Sequence, residues 1–284
     1  MGEEPEITKM RLRPIFTALP LLLALDGITA SAAPEDHSAP VIREEQQVNI
    51  DGVDETWRLQ WDHKPHPRCT PASDEGWATC PCNPFTFGEA GPLNLIRLHN
   101  GVEYERLKLT GYFTEDNDDT SGTEAILQKH AIVPKDFEKE DSVSEAEIAR
   151  RPSVRLMHFH DYDHDGHATE FMLPVINLVC GHELAIAVGI SVSNPHLHVF
   201  GSAETPNTPL KLEPKEWAAL AQGKTQVVAY PCGDHGLETE IDLGLQASKR
   251  GISVKQLHYS CLPDGKRGKL LTDEELSKLQ QPPE

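Results

Sequence analysis

Apolar and polar residues alternate over much of the chain, a pattern that predicts half-buried β-strands. Between Val48 and Trp61 the alternation runs on both sides of Asp51-Gly52. This predicts a hairpin: V-N-I, a turn, then E-T-W-R-L-Q-W. In the second strand Trp57, Leu59 and Trp61 fall on one face. Such a stripe reads as core, with a sugar-stacking platform as its alternative. Leu93 to Leu109 repeats the pattern around Asn100-Gly101, a pair suited to the φ > 0 demands of a type I′ turn. Further strands are predicted at V-R-L-M-H-F-H from Val154, E-F-M-L-P-V-I from Glu170 and E-L-A-I-A-V-G-I from Glu183. Thr225–Tyr230, Glu238–Leu245 and Ile252–Tyr259 complete the set.

Helical signals are fewer. Ser121-Gly122-Thr123-Glu124 has capping-box spacing ahead of A-I-L-Q-K-H, and Ser144-Glu145-Ala146-Glu147 repeats it before I-A-R-R and Pro152. Glu213 to Ala221 predicts one helix ending near Gly223, and Thr272-Asp273-Glu274-Glu275 predicts a short terminal one. Residues 62–92 carry many Pro, Gly and Cys with little periodicity, which predicts a disulfide-tied loop. No repeat at a fixed period is present. The fold class expected is α+β and β-rich, with antiparallel hairpins, a few short helices and a disulfide-rich loop. A single β-rich domain spans 46–271, with a subdivision near 133–153, and residues 272–284 form the C-terminal helix and tail.

The N-terminus carries an address. Met10, Arg11 and Arg13 precede an apolar run from Ile15 to Leu25, and Ala30-Ser31-Ala32 supplies a small-x-small site. These are the three parts of a secretory signal peptide, assigned to residues 1–32 with cleavage near Ala32, and 33–45 reads as a flexible lead-in. Acidic Glu3, Glu4 and Glu6 suit an n-region poorly and point to Met10 as the start. Secretion or a periplasmic location follows, and no later apolar run is long enough to span a bilayer.

Charge then narrows the partners. With 26 Lys+Arg against 45 Asp+Glu, the 284 residues carry −19 at pH 7, which argues against nucleic acid. In an oxidising compartment the six cysteines favour disulfides. Cys69, Cys80 and Cys82 lie in the first half and Cys180, Cys232 and Cys261 in the second, so complete pairing would require a bridge between halves. The competing reading is a zinc site from His66, Cys69, Cys80 and Cys82.

The densest chemistry lies in D-Y-D-H-D-G-H-A-T-E, residues 161–170. Asp161, Asp163 and Asp165 alternate, so a tight turn can aim all three at one point, and Gly166 supplies the backbone freedom for that turn. Carboxylates so crowded call for a cation. Calcium takes six to eight oxygens at about 2.3–2.6 Å; the three aspartates, the His167 carbonyl and Glu170 would supply most of them. The stretch resembles the D-x-D-x-D-G of EF-hands, although the twelfth position here is Met172. In its strand–loop–strand setting it is more similar to the calcium loops of FG-GAP/VCBS (integrin-like) repeats, with Glu170 one residue later than their closing acid. That resemblance covers about a dozen residues and implies an ion site, not a propeller.

Fourteen histidines offer a rival. His158-Phe159-His160 and His196-Leu197-His198 are H-x-H pairs, and Gly189 through His196, His198 and Glu204 loosely resembles the first cupin motif. A transition-metal enzyme using these groups would need three or more of them in one pocket. A carbohydrate-binding module would instead need Trp57, Trp61 and Trp77 exposed. The leading expectation is an exported calcium-binding protein with a binding or structural role at the cell envelope or outside it.

Overall fold

A computed structural model describes residues 39–70, 85–113, 124–132, 144–177, 182–248 and 251–276, with 72 and 82 besides. The expected signal peptide, the first helix cap at 121–123, the stretch 133–143, Trp77, Cys80 and Cys180 lie outside the described residues.

Chain order gives β1 (Val41–Ile50), β2 (Val53–Trp61), β3 (His66–Arg68), β4 (Gly88–Gly91), β5 (Leu93–His99), β6 (Val102–Lys108) and β7 (Ala125–Gln128). After α1 (Glu145–Ile148) come β8 (Phe159–His160), β9 (Glu170–Asn177), β10 (Glu183–Gly189) and β11 (His198–Val199). Then follow α2 (Pro214–Ala221), β12 (Gln226–Tyr230), β13 (Thr239–Ser248), β14 (Gly251–Cys261) and β15 (Arg267–Glu275). Among the described residues the strands form four antiparallel sheets, ordered β1-β2-β5-β6, β11-β10-β9-β8, β12-β13-β14-β15 and β3-β4-β7. Among the described residues helix is confined to short pieces, so the chain is β-rich, and α+β describes it only loosely.

Both Gly-containing hairpins form where the turn residues predict them. Asp51 and Gly52 close β1–β2, Asn100 and Gly101 close β5–β6, and all four have φ > 0. Trp57, Leu59 and Trp61 are fully buried, which settles that stripe as core.

The sheet of β8–β11 is covered on both faces. Along β10, Ile186 and Val188 pack with Trp57, Leu59 and Leu95 of the first sheet. Ala185 and Ala187 pack the other way, with Trp217 of α2 and Leu243, Leu245 and Val254 of the third sheet. Period-2 side-chain geometry sends alternate residues to opposite cores. The run E-L-A-I-A-V-G-I therefore reads as nearly continuous apolar, because neither face meets water. Helix α2 caps its own start: Glu213 and Glu216 form a capping box, and Pro214 occupies the first turn.

Three local expectations fail for the same reason: tertiary pairing outweighs local signals. A-I-L-Q is strand β7, not helix. It pairs with β4 and buries Ala125 and Leu127 on one side, a benefit no four-residue helix offers. The acidic T-D-E-E is the end of β15, paired with β14 from Cys261–Arg267 to Lys255–Glu275; Leu276 beyond it is helical, and 277–284 lie outside the described residues. The boundary placed between 271 and 272 thus falls inside a strand. V-R-L-M-H-F-H is a strand only at Phe159–His160. Upstream, side chains of β1 bond its backbone: Arg43 donates to the Val154 carbonyl at 2.9 Å, Glu44 accepts from Leu156 N at 2.7 Å, and Gln46 donates to the Met157 carbonyl at 2.7 Å.

Among the described residues two disulfides, Cys69–Cys82 and Cys232–Cys261, each stay within one half of the chain. Cys69 and Cys82 are consumed by the first, so the zinc reading of the His66 region loses two of its four ligands. No helix among the described residues is long and apolar enough to cross a membrane.

Candidate metal centre

The acidic stretch is the loop of the β8–β9 hairpin. Its ends are pinned in both cores. Phe159 packs edge-on against Trp57 and Phe171, with ring centroids 5.5 and 5.8 Å apart, and Tyr162 packs edge-on against Trp217 at 5.2 Å. Between the pins the chain reverses at His164 and Gly166, which have φ of 57° and 101°. Those conformations favour short polar residues and glycine.

Carboxylates shape the loop by accepting its backbone N–H groups. Asp161 accepts from Asp165 N and Gly166 N, both at 3.0 Å, and Asp163 accepts from Asp165 N at 3.1 Å. Glu170 reaches back to accept from Tyr162 N at 2.7 Å and from the Thr169 hydroxyl at 3.0 Å. The outcome is a convergence: oxygens of Asp161, Asp163 and Glu170 all lie within 4.8 Å of one another. Two oxygens each about 2.4 Å from one calcium ion are separated by at most about 4.8 Å, so this trio fits around a single cation. Glu170, one residue late for the FG-GAP pattern, joins it nonetheless, because it opens β9 opposite Gly189 of β10.

Asp165 is placed differently, and for His167, whose backbone carbonyl is the expected ligand, the side chain has a separate partner. Asp165 stands outside the trio and accepts from His167 N at 2.9 Å and Val192 N at 2.5 Å. It acts as a bracket between the loop and the turn after β10. The His167 imidazole points to Asp51 of the β1–β2 turn, with Nε2 3.2 Å from Oδ1.

Burial makes the trio electrostatically costly. Glu170 is fully buried and Asp163 nearly so. Burial pushes Glu170 up to about 8, with the nearby charges of Asp163 and Asp165 adding to it. Asp163 rises to about 6, again chiefly by burial and then by Asp165 and Asp161. The charged groups acting on both are other acids, so a cation placed among them would be favoured.

Sequence inspection missed the bracing. Thr169 donates to the Ile190 carbonyl at 3.0 Å, and the His164 imidazole donates through Nε2 to the Leu220 carbonyl at the end of α2, at 2.7 Å. The turn-rich S-V-S-N-P at 191–195 was the available signal, but its partner across 27 residues was not visible.

The histidine pairs do not assemble. His158 and His160 are exposed, His196 is exposed beside Glu105 at 3.2 Å, and His198 donates through Nδ1 to the His196 carbonyl at 2.8 Å. Among the described residues the Asp161–Asp163–Glu170 trio alone gathers three metal-ligating side chains at such range. Trp57 and Trp61 are buried, which leaves the carbohydrate platform without exposed rings among the described residues. No protein-family profile matches the chain, and no curated protein or solved structure matches it either.

Proposed function

We propose that the 161–170 loop is a calcium site and that the protein is an exported β-rich protein in which this ion has a structural or binding role. The convergence of Asp161, Asp163 and Glu170 within 4.8 Å carries the reading. All three offer oxygen only, as a hard cation prefers, and backbone carbonyls and water can complete a flexible shell of the calcium type. Neutralising the buried acids would lock the β8–β9 hairpin to α2 through His164 and to the 190–194 turn through Asp165 and Thr169. Export is supported by the N-terminal signal pattern and by two disulfides, which suit an oxidising compartment.

The test is titration of chelator-stripped protein with CaCl2 and with MgCl2, followed by calorimetry and thermal melts. One calcium per chain is expected. At a free concentration 100 times Kd the stabilisation is about 2.7 kcal/mol, or about 5–10 °C for a domain of this size. Superimposable melts in excess calcium and in excess EGTA would overturn the assignment.

A further inference from the structure

Asp163 has a second neighbourhood. It lines a cavity of about 440 Å³ whose walls come from the 191–194 turn, β11 and the 200–207 segment. The volume lies in the range that holds a small ligand. Among the described residues, Asp163 is the one carboxylate in the lining, and no described lysine or arginine lines it. Burial holds the His198 imidazole below its ordinary pKa, so that group adds no cation near neutrality. A phosphate or carboxylate ligand would therefore find no basic partner among the described residues of these walls.

Uncharged polar groups and apolar surface alternate instead. Ser193, Asn194 and Asn207 bring polar side chains to the lining, while the buried Ser191 and Ser202 hydroxyls there are bonded to Ser193 and Thr205. His198 stacks on Phe200, with centroids 4.4 Å apart and planes tilted by 33°, and Leu107 and Tyr112 supply further apolar wall. Hydroxyl-bonding groups beside a ring face match the two-sided chemistry of a sugar, whose equatorial hydroxyls ring an apolar C–H face.

The wall is also wired to the ion loop. Asp165 holds Val192 N at 2.5 Å and Thr169 holds the Ile190 carbonyl at 3.0 Å. Fixing the loop thus fixes the 190–194 turn that borders the cavity.

We propose that this cavity binds a neutral saccharide, with a sugar hydroxyl completing the coordination of the ion on the Asp163 side. The proposal rests on the calcium reading of the loop and deepens it. Ligand and ion then share a coupling free energy, so each tightens the other's binding by the same factor.

The full mature chain is screened on an array of immobilised neutral, sialylated and sulfated glycans in excess calcium and again in excess EGTA. Methyl glycosides of the retained sugars are then titrated. Retention of neutral glycans in calcium, lost at least tenfold in EGTA, is expected. His198→Ala and the exposed Asn207→Ala should each weaken glycan binding at least tenfold while leaving the calcium isotherm unchanged; that isotherm also reports correct folding. Calcium binding with no neutral glycan retained overturns the saccharide proposal alone. So does retention of acidic glycans only, or retention that EGTA does not alter. A blank calcium titration instead overturns the ion site, and the saccharide proposal with it.

Discussion

Gly189 passes so close to the start of β9 that a β-carbon there would lie 2.8 Å from Glu170 Cα and 2.2 Å from the Thr169 carbonyl oxygen. The two residues are cross-strand partners in the β9–β10 ladder. Absence of a side chain at 189 is therefore what seats Glu170 at the trio. Gly189→Ala should push β9 away, destabilise the protein by about 1–3 kcal/mol and weaken calcium binding. A melt and a calcium titration of the variant check both effects; wild-type behaviour in each would show that the strands can separate without disturbing the site.

Neutralising one buried acid should have opposite consequences with and without the ion. Asp163→Asn keeps an oxygen for the Asp165 N–H but removes a charge that burial and neighbouring acids disfavour. In EGTA at pH 8 the variant should be more stable than the wild type by about 1–3 kcal/mol. In excess calcium it should be less stable, with affinity reduced at least tenfold. Parallel denaturant titrations in the two buffers measure this crossing. A variant that is weaker in both would mean that Asp163 serves the fold without serving an ion.

Much of this architecture was legible in the residues, and the failures are instructive. Asp51-Gly52 and Asn100-Gly101 announced their hairpins because a turn needing φ > 0 admits few residues. Local chemistry sufficed there. The trio was half legible: D-x-D-x-D-G gave the loop, but only the β9–β10 register decided that Glu170 turns inward while Asp165 turns toward Val192. At β7 and β15, helix-cap signals of four residues lost to cross-strand pairing with partners well away in sequence. The carboxylates of β13 show the same limit. Arg267 of β15 pairs with Glu240 and Asp242, an arrangement that spacing along one segment does not reveal.

Arg97 binds a second acidic group. It pairs with Glu55 at 2.8 Å and Glu105 at 2.7 Å, and donates to the Pro195 carbonyl at 2.8 Å, at a site where its own side chain is buried. Despite burial, the guanidinium and the Trp57 and Tyr104 side chains hold Glu55 below its usual value. Arg97→Met should strand two carboxylates and cost about 3–5 kcal/mol. With its partner gone, Glu55 is left to desolvation, which raises its pKa, so the deficit should shrink on going from pH 8 down to pH 5. Urea titrations at pH 5 and pH 8 test this; an equal deficit at both would assign the loss to packing over Trp57.

Proton linkage gives the most direct measure of the trio. In the ion-free protein Glu170 titrates near 8 and Asp163 near 6, both raised. A raised carboxyl pKa means that the folded state holds protons the unfolded chain has released. The associated stability is complete below about pH 4 and is lost as pH rises through about 6 and then about 8. In EGTA, stability should therefore decline between pH 5 and pH 9. Calcium requires ionised oxygens, so binding must expel whatever protons remain. At pH 7 that is about one proton, nearly all from Glu170, and at pH 9 it is about a tenth of that. Calorimetric titrations in buffers of different ionisation enthalpy count the released protons. Glu170→Gln should abolish the release at pH 7, since Asp163 is by then mostly ionised. Release of no proton by the wild type at pH 7 would place calcium somewhere other than on Glu170.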